Sequence, residues 1–531
     1  MATDTVSRKK KSSSKKWVWT RRIVQTLFLL IFLYLLIITV QGVTGRQPND
    51  LFFFLDPLNG ITSMLASRTW IAPMSLGIIT IVLAVAVGRA WCGWVCPMGT
   101  ILDWTPSRRN RKNPEISPVW SQGKYFLLFA VIIGAALGGL ALNFLDPITL
   151  LFRTIASGIL PGLNWAIEGT ESWLYGFQAL RPAVDWVDGA LRGWLLNSQP
   201  FYLPSIAILI FFAAVLGLNA VRSRFWCRYL CPLGALLALI SKVSFIRHRV
   251  DAEKCISCRK CSTLCPTGAI SPEKNFNADV SECTVCLSCV DGCPTGAISF
   301  GQKTQPAYIQ DRARRGFLYS LGAAVVMAAF IRFFPTLAKT NKTQVRPPGS
   351  SEESLYSQCI RCGECIKVCP TGVIQPSPEA GDTKLWTPVL KTRPAYCDYS
   401  CNSCGIICPT GAIAELSLDE KRKTVIGIAR IDQSRCITWA EGRDCIVCEE
   451  MCPIPEKAIV LGGQGRGAGA GRHPHVIEDL CIGCGICEHQ CPVAGEAAIR
   501  VYPVESASPD TVTQTEDTVA ETADNLYSGL S

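Results

Sequence analysis

The chain has 531 residues, of which 49% are hydrophobic and only 18% are charged. This balance is unusual for a soluble globular protein and ordinary for one that is partly embedded in a membrane. The formal net charge is +10, but the basic residues cluster beside apolar runs, where membrane topology explains them, so nucleic acid is excluded as a partner. The 28 cysteines are the dominant feature, and their spacing is the strongest indication of function.

Residues 1–22 form a basic N-terminus, and residues 23–245 are predicted to form a four-span membrane domain. A cleaved signal peptide is the alternative for the first span, but no small-residue cleavage site follows it. Lysine and arginine are concentrated before the first span and after the second and fourth, which predicts a cytoplasmic N-terminus. The four predicted spans are Ile23–Val40, Ile71–Val87, Tyr125–Leu142 and Pro204–Val221.

This membrane part contains an internal duplication. The tetrapeptide FLDP occurs at residues 54–57 and again at 144–147, and the motif C-x3-C-P occurs at 92–97 and again at 227–232. Each copy therefore reads as a span, an outer FLDP, a second span and an inner C-x3-C-P, which predicts a pseudo-twofold axis along the membrane normal. The second copy has a longer outer insert, about residues 155–199, whose tryptophans predict helices lying at the outer interface.

The first soluble block, residues 246–303, contains two C-x2-C-x2-C-x3-C-P runs. This is the ligand spacing of two-cluster ferredoxins, in which three cysteines of a run bind one cubane and the fourth binds the other. Disulfides and structural zinc seldom repeat such a spacing. One [4Fe-4S] cluster is expected on Cys255, Cys258, Cys261 and Cys293, and another on Cys283, Cys286, Cys289 and Cys265.

The second soluble block, residues 345–503, contains four more quartets, of which the middle two have a widened first gap. The sequence leaves their pairing open; a nested pairing, first quartet with fourth and second with third, would join the two regular runs. The six clusters would need about 24 Fe per chain. The quartets are Cys359, Cys362, Cys365 and Cys369; Cys397, Cys401, Cys404 and Cys408; Cys436, Cys445, Cys448 and Cys452; and Cys481, Cys484, Cys487 and Cys491.

Four cysteines remain, all in the C-x3-C-P motifs: Cys92, Cys96, Cys227 and Cys231. They could ligate a seventh iron–sulfur cluster, bind another metal, form redox-active thiols or serve only as structural residues. We favour a shared metal centre, because thiols gathered near a charge-poor interface have few other uses.

Asp56 and Asp146, in the FLDP motifs, have two interpretations. An Asp-Pro pair is usually a helix terminus with a turn. The alternative is catalytic, with both acids accepting protons from quinol, because acids near apolar helices mark proton paths.

Haem is not expected. The chain has four histidines, none of them in an apolar run, and it has no C-x-x-C-H motif. It therefore lacks the attachment site of a c-type haem and the histidine pair of a transmembrane b-type haem. Electron transfer would have to use iron–sulfur centres.

Residues 311–335 link the two soluble blocks. Arg314 and Arg315 with the following Gly-Phe-Leu resemble a twin-arginine export signal, and Phe317–Phe334 is apolar enough to be an uncleaved fifth span. The second block would then be folded with its cofactors in the cytoplasm and exported. Residues 504–531 are predicted to be a disordered acidic tail.

These motifs resemble a known family. Residues 1–300 resemble the membrane H subunit of the quinol dehydrogenase that serves periplasmic nitrate reductase, with its spans, two C-x3-C-P motifs and two-cluster ferredoxin tail. Residues 311–503 are similar to its twin-arginine-exported, four-cluster G subunit, and related pairs occur in methylamine utilisation. In that family the two subunits are separate proteins, whereas here they are joined in one chain.

The resemblance implies electron transfer from the membrane quinol pool to a periplasmic c-type cytochrome or to a reductase such as nitrate reductase. It also implies a multi-pass protein of the bacterial inner membrane that meets the twin-arginine translocase during export. The expected fold is a multi-domain membrane protein, with a duplicated four-helix transmembrane domain, a fifth transmembrane anchor and α+β ferredoxin-like domains on both sides of the membrane. The alternative is a maturation or regulatory protein, because related C-x3-C-P proteins support copper-containing oxidases or nitrous oxide reductase.

Overall fold

The computed structural model describes residues 16–39, 50–105, 120–192, 203–272, 275–302, 316, 318–326, 344–377, 385–462 and 472–504. Residues 318–326 are helical, and they are the part of the predicted fifth span that is described. The twin-arginine pair and the acidic tail lie outside the described residues.

The N-terminal half is a domain of mostly short helices, and α1 is its longest uninterrupted one. α1 packs on α5 and α6, and α7 packs on α3 and α12. Short 3-10 or π segments, among them Ala72–Leu76, Ala141–Leu145, Thr154–Ile159 and Trp226–Leu230, join several of these helices. The helices are α1 (Lys16–Ile38), α2 (Leu51–Phe54), α3 (Pro57–Ser67), α4 (Gly77–Val87), α5 (Ala90–Trp94), α6 (Pro97–Trp104), α7 (Gly123–Ala136), α8 (Pro147–Arg153), α9 (Leu160–Leu174), α10 (Arg181–Arg192), α11 (Leu203–Val221) and α12 (Pro232–Ser241).

Four of these helices begin in the same way, with a capping residue followed by proline at the first helical position. Asp56 caps α3 and Asp146 caps α8, and each carboxylate accepts two backbone N–H groups of its helix. Cys96 and Cys231 occupy the equivalent position before α6 and α12. Proline fits at a helix start because its missing N–H would have no partner there. The FLDP and C-x3-C-P motifs are therefore helix starts.

The four helices pack crosswise between the two copies. α6 of the first copy packs on α8 of the second, and α12 of the second packs on α3 of the first. Asp146 acts electrostatically on the thiols of both Cys96 and Cys231. This differs from the expectation that FLDP and C-x3-C-P lie at opposite ends of a span, because each proline starts a new helix inside the domain.

Two helical segments of the described chain are long and apolar enough to cross a membrane, Lys16–Ile38 and Pro147–Leu174. The first contains most of the first predicted span. The second overlaps the insert from which we expected interfacial helices. At the other three predicted spans the described apolar helices, Ala72–Val87, Gly123–Ala136 and Ser205–Val221, are shorter.

The cysteine-rich blocks consist of loops, short helices and two-stranded antiparallel sheets. In the first block β1 (Ile246–Val250) pairs with β2 (Ile298–Gln302), so its two ends lie together. In the second block three such sheets follow. They are β3 (Ile374–Pro376) with β4 (Pro388–Leu390), β5 (Ile428–Ile431) with β8 (Ile499–Tyr502), and β6 (Ile459–Gly462) with β7 (His473–Val476).

Short helices carry the cysteines or flank them. In the first block these are α13 (Lys260–Leu264) and α14 (Ser288–Gly292). In the second block they are α15 (Glu352–Ser357), α16 (Glu364–Val368), α17 (Ser403–Ile406), α18 (Leu418–Lys423), α19 (Ile437–Ala440), α20 (Val447–Glu450) and α21 (Ile486–Gln490).

The two blocks dock at opposite ends of α7. At its start, Lys124 forms an ion pair of 2.5 Å with Glu282 of the first block. Just beyond its end, the backbone N–H of Leu140 donates to the carbonyl of Tyr356, in the second block, at 3.1 Å. A 14-residue helix is about 21 Å long at about 1.5 Å per residue, so the two docking contacts are separated by the length of this helix.

Candidate iron–sulfur centres and the helical core between them

In the first block, each predicted set of four cysteines lines one cavity. A cavity of about 350 Å³ is lined by Cys255, Cys258, Cys261 and Cys293. A second cavity, of about 320 Å³, is lined by Cys283, Cys286, Cys289 and Cys265. The fourth cysteine of each run is thus beside the other run, which is the exchange that two-cluster ferredoxins use.

In the second block, neighbouring quartets exchange their fourth cysteines. Cys359, Cys362 and Cys365 line a cavity of about 420 Å³ together with Cys408 of the next run. In return, the thiols of Cys397 and Cys404 lie within electrostatic reach of Cys369. The first two quartets therefore form one unit.

The last two quartets form a second unit in the same way. Cys436, Cys445 and Cys448 line a cavity of about 400 Å³ with Cys491. Cys481 and Cys484 lie within electrostatic reach of Cys452. The nested pairing considered from the sequence is therefore wrong, because each quartet exchanges its fourth cysteine with its neighbour along the chain.

The cavities suit a cubane better than a single metal ion. Among the described residues, no three His, Cys, Asp or Glu side chains converge closely enough to hold one metal ion. The fourth cysteines of the first block instead accept hydrogen bonds from backbone amides: Ala269 donates its N–H to Cys265 Sγ, and Ala297 donates to Cys293 Sγ, both at 3.3 Å. Such N–H···S bonds stabilise thiolates that ligate iron.

Burial shapes the acid–base properties of these side chains. Burial first, and neighbouring thiols second, raise the pKa of the Cys404 and Cys487 thiols well above the usual range. Such thiols become thiolates only when iron replaces the proton. Burial also lowers the pKa of His248, beside the second cavity of the first block, to about 4. The neutral ring has no hydrogen-bond partner among the described residues, which leaves a donor available for a cluster.

The four C-x3-C-P cysteines are buried in one hydrophobic core. Two arginines hold the motifs together across the duplication. Arg89 Nη2 donates to the Cys227 carbonyl at 3.2 Å, and Arg224 Nη1 donates to the Cys92 carbonyl at 3.0 Å. Both guanidinium groups are buried, so positive charge lies close to the thiols. Sequence reasoning missed these arginines, although each stands three residues before its motif.

Asp56 and Asp146 are brought together at the centre of the helical domain. Both are fully buried, and their carboxyl groups lie within electrostatic reach of each other. Asn59 donates to Asp56 at 3.2 Å and to Thr149 at 3.3 Å, and thereby links the two copies. The acids are helix caps, as the structural interpretation predicted, and they also share a buried polar network.

The second block rests on the helical domain through buried polar and aromatic groups. Arg361 donates to the Leu140 carbonyl at 2.5 Å. The carboxyl of Glu364 lies close to that of Asp50, and burial together with Asp50 holds the pKa of Glu364 well above its usual range. Ile360 and Cys362 belong to the same hydrophobic core as the C-x3-C-P cysteines. Sequence reasoning gave no signal for these contacts.

Comparison with models of known protein families also indicates iron–sulfur binding. Models described as a 4Fe-4S binding domain match residues 69–114, 205–251 and 404–426, and residues 248–271 and 474–494. Models described as a 4Fe-4S dicluster domain match residues 358–412 and 282–374. Two of these ranges contain the C-x3-C-P motifs. No solved structure matches the chain.

The chain aligns with most of the length of two curated relatives. The methylamine utilization ferredoxin-type protein MauM of Methylobacillus flagellatus is 36% identical over 196 residues, 35% of this chain and 80% of that protein. The ferredoxin-type protein NapG of Escherichia coli is 31% identical over 216 residues, 39% of this chain and 90% of that protein. The chain belongs to the MauM/NapG family of ferredoxin-type proteins.

As a member of the MauM/NapG family, the chain is an iron–sulfur electron-transfer protein with several [4Fe-4S] clusters. The ferredoxin-type protein NapH of Haemophilus influenzae is also similar, at 27% identity over 277 residues, 49% of this chain and 81% of that protein. The family resemblance inferred from the motifs is thus confirmed at the level of a polyferredoxin family.

Proposed function

We propose that the protein oxidises membrane quinol and delivers the electrons through six [4Fe-4S] clusters to a periplasmic c-type cytochrome or reductase. One observation carries the proposal: the C-x3-C-P cysteines and Cys362, which lines the first cavity of the second block, lie in one continuous hydrophobic core. The first block docks at the other end of α7, so the buried thiols of the C-x3-C-P motifs belong to the helical domain that joins the two cysteine-rich blocks. Such an arrangement suits a conductor better than a maturation factor.

The membrane topology is part of the proposal. The helical domain would lie in the bacterial inner membrane, with the N-terminus and residues 246–303 on the cytoplasmic side and residues 345–503 on the periplasmic side. The two helices long enough to cross a membrane, and the docking of the blocks at opposite ends of α7, support it. The chain would thus join an H-type and a G-type subunit, the latter exported by the twin-arginine translocase.

The protein's own residues provide ligands and exclude water. The six quartets would each hold a cubane, which when bound accepts and passes on one electron at a time. The C-x3-C-P cysteines would hold a further iron–sulfur cluster beside Arg89 and Arg224. Quinol oxidation releases two electrons and two protons, and the buried Asp56–Asp146 pair would accept these protons one at a time, passing the first on before it takes the second.

The test is anaerobic addition of reduced quinol to the purified full-length protein. We expect the visible absorbance of the clusters to bleach, and about 24 Fe per chain, or about 28 if the C-x3-C-P cysteines hold a seventh cluster. Dithionite serves as the control for clusters that are present and reducible. If dithionite bleached the clusters and quinol did not, the maturation or regulatory function would become the better explanation.

A further inference from the structure

Arg153, at the end of α8, is a charged residue that the proposed function does not use. Its side chain has no exposed surface. Nη2 makes a contact of 3.5 Å with the Phe144 carbonyl, while Nε and Nη1 have no hydrogen-bond partner among the described residues. A buried guanidinium without a counter-charge is costly, so its position calls for an anionic partner.

Residues of the second block pack against Arg153. Its guanidinium carbon lies 4.2 Å from the ring centroid of Trp386, a residue that lines the cavity of Cys359, Cys362, Cys365 and Cys408. A Cβ placed on Gly363, in the same cysteine loop, would lie 3.5 Å from the Cα of Arg153. The loop therefore rests directly on the end of α8.

Three side chains of the second block lie within electrostatic reach of Arg153. They are a second buried guanidinium, that of Arg361, and the thiols of Cys362 and Cys359, which become anionic when they ligate iron. No carboxylate of the described chain forms an ion pair with Arg153. Arg361 thus lines the thiol cavity, and Arg153 lies against Trp386 and Gly363 of the same lining. A cubane with four thiolates is negatively charged and becomes more so on reduction.

We propose that Arg153 raises the reduction potential of the cluster held by Cys359, Cys362, Cys365 and Cys408. A fixed positive charge in a low-dielectric site stabilises the reduced, more negative state of a cluster. The helical domain thereby makes the nearest cluster of the second block an electron acceptor. The inference rests on the proposed cluster in that cavity, but it does not require quinol to be the donor.

The experiment is a mediated redox titration of the purified full-length protein, followed by EPR. The signal of this cluster is assigned as the one lost in Cys408→Ser. In Arg153→Gln we expect the equilibrium constant for reduction of this cluster to fall at least tenfold. For one electron this is a shift of the reduction potential by about 59 mV or more to lower values. The other cluster potentials should not move. Arg153→Lys keeps a positive charge if the titration is run below the lowered pKa of a buried ammonium group, and it should then stay within about threefold of the parent protein.

Arg181→Gln, which removes an exposed arginine elsewhere in the helical domain, is the matched control and should change nothing. An unchanged potential in Arg153→Gln with full iron content would overturn the proposal. So would an equal shift in Arg153→Lys, which would point to lost stacking on Trp386, or loss of the cluster from Arg153→Gln, which would make the residue structural. Failure of the proposed function would look different, because quinol would then not bleach clusters that dithionite reduces, whereas the shift of potential in Arg153→Gln would remain.

Discussion

Arg89 and Cys227 belong to different copies of the internal duplication, yet the Arg89 guanidinium donates a hydrogen bond of 3.2 Å to the Cys227 carbonyl. The reverse contact, from Arg224 to Cys92, measures 3.0 Å. The two copies therefore hold each other's cysteine motif in place. We call this reciprocal pair the arginine latch; it also connects to ion pairs on either side.

Arg224 should be essential for the stability of the helical domain. Its guanidinium forms two hydrogen bonds with Asp103, of 2.6 and 2.7 Å, in addition to the latch. Arg224→Met removes both of these bonds from the half-buried Asp103, which keeps Gln25 at 2.9 Å and Arg21 at 3.8 Å as partners. We therefore expect a cost of about 1.5–3 kcal/mol of unfolding free energy. Unfolding in detergent measures the loss. Arg224→Met with Asp103→Leu should recover part of it, and Arg22→Met, at an exposed position on α1, should have no effect.

Each of the two blocks packs against a different glycine of the helical domain. A Cβ on Gly139 would lie 2.5 Å from the Tyr356 hydroxyl, and one on Gly93 would overlap the Thr284 carbonyl. Gly139→Val should therefore loosen the second block, and Gly93→Val the first. Limited proteolysis of the full-length protein would report the loosened block. Gly217→Ala, where no atom lies within 4 Å, is the control; equal protection in all three variants would contradict the docking.

The exchange of fourth cysteines predicts which pairs of cysteine substitutions remove one cluster and which remove two. Cys365→Ser with Cys408→Ser affects one cavity, so iron content should fall by about 4 Fe. Cys365→Ser with Cys369→Ser affects two cavities, so it should fall by about 8 Fe. Iron analysis with EPR distinguishes the two results. The nested pairing would instead make the first double substitution remove two clusters.

The buried acid pair can be tested without disturbing its helices. Asparagine caps a helix about as well as aspartate, so Asp56→Asn and Asp146→Asn should fold and keep their iron. If the pair accepts quinol protons, each variant should slow quinol oxidation by about 10²-fold or more. Stopped-flow bleaching by quinol is the measurement, with dithionite reduction as the control. Unchanged rates would leave the two acids as helix caps only.

The twin-arginine motif makes a prediction outside the described residues. Replacing Arg314 and Arg315 by lysine should keep the second block in the cytoplasm, because the translocase that accepts folded cargo recognises the arginine pair. Protease accessibility in spheroplasts reports the side of the membrane. Normal export of this variant would show that the two arginines act only as flanking charges.

The cysteine spacing carried most of the information that the sequence held about the sites. The exchange between Cys265 and Cys293 follows from a local motif, because the proline after the fourth cysteine turns it toward the other run. The pairing of the longer block was open, because four equivalent runs allow several arrangements. It is decided by which strands meet, as when β5 pairs with β8 and not with a strand of the first quartets.

The helical domain was harder to predict. The repeat of FLDP and C-x3-C-P was visible, but the crosswise packing of α6 on α8 depends on contacts far apart in the chain. The arginine latch and the contact of Arg153 with Trp386 likewise leave no periodic pattern. Buried charges of this kind look like ordinary flanking arginines until the groups that surround them are known.

The order of the quartets has a consequence for how the protein is made. By the time Cys408 leaves the ribosome, the ligand sets of Cys359–Cys365 with Cys408 and of Cys397–Cys404 with Cys369 are both complete. Loading with iron and sulfide can begin there, before the last two quartets are synthesised. A nested order would have held the first cysteines unliganded until Cys491 appeared. The order of the quartets therefore shortens the time during synthesis in which a cysteine lacks the other ligands of its cluster.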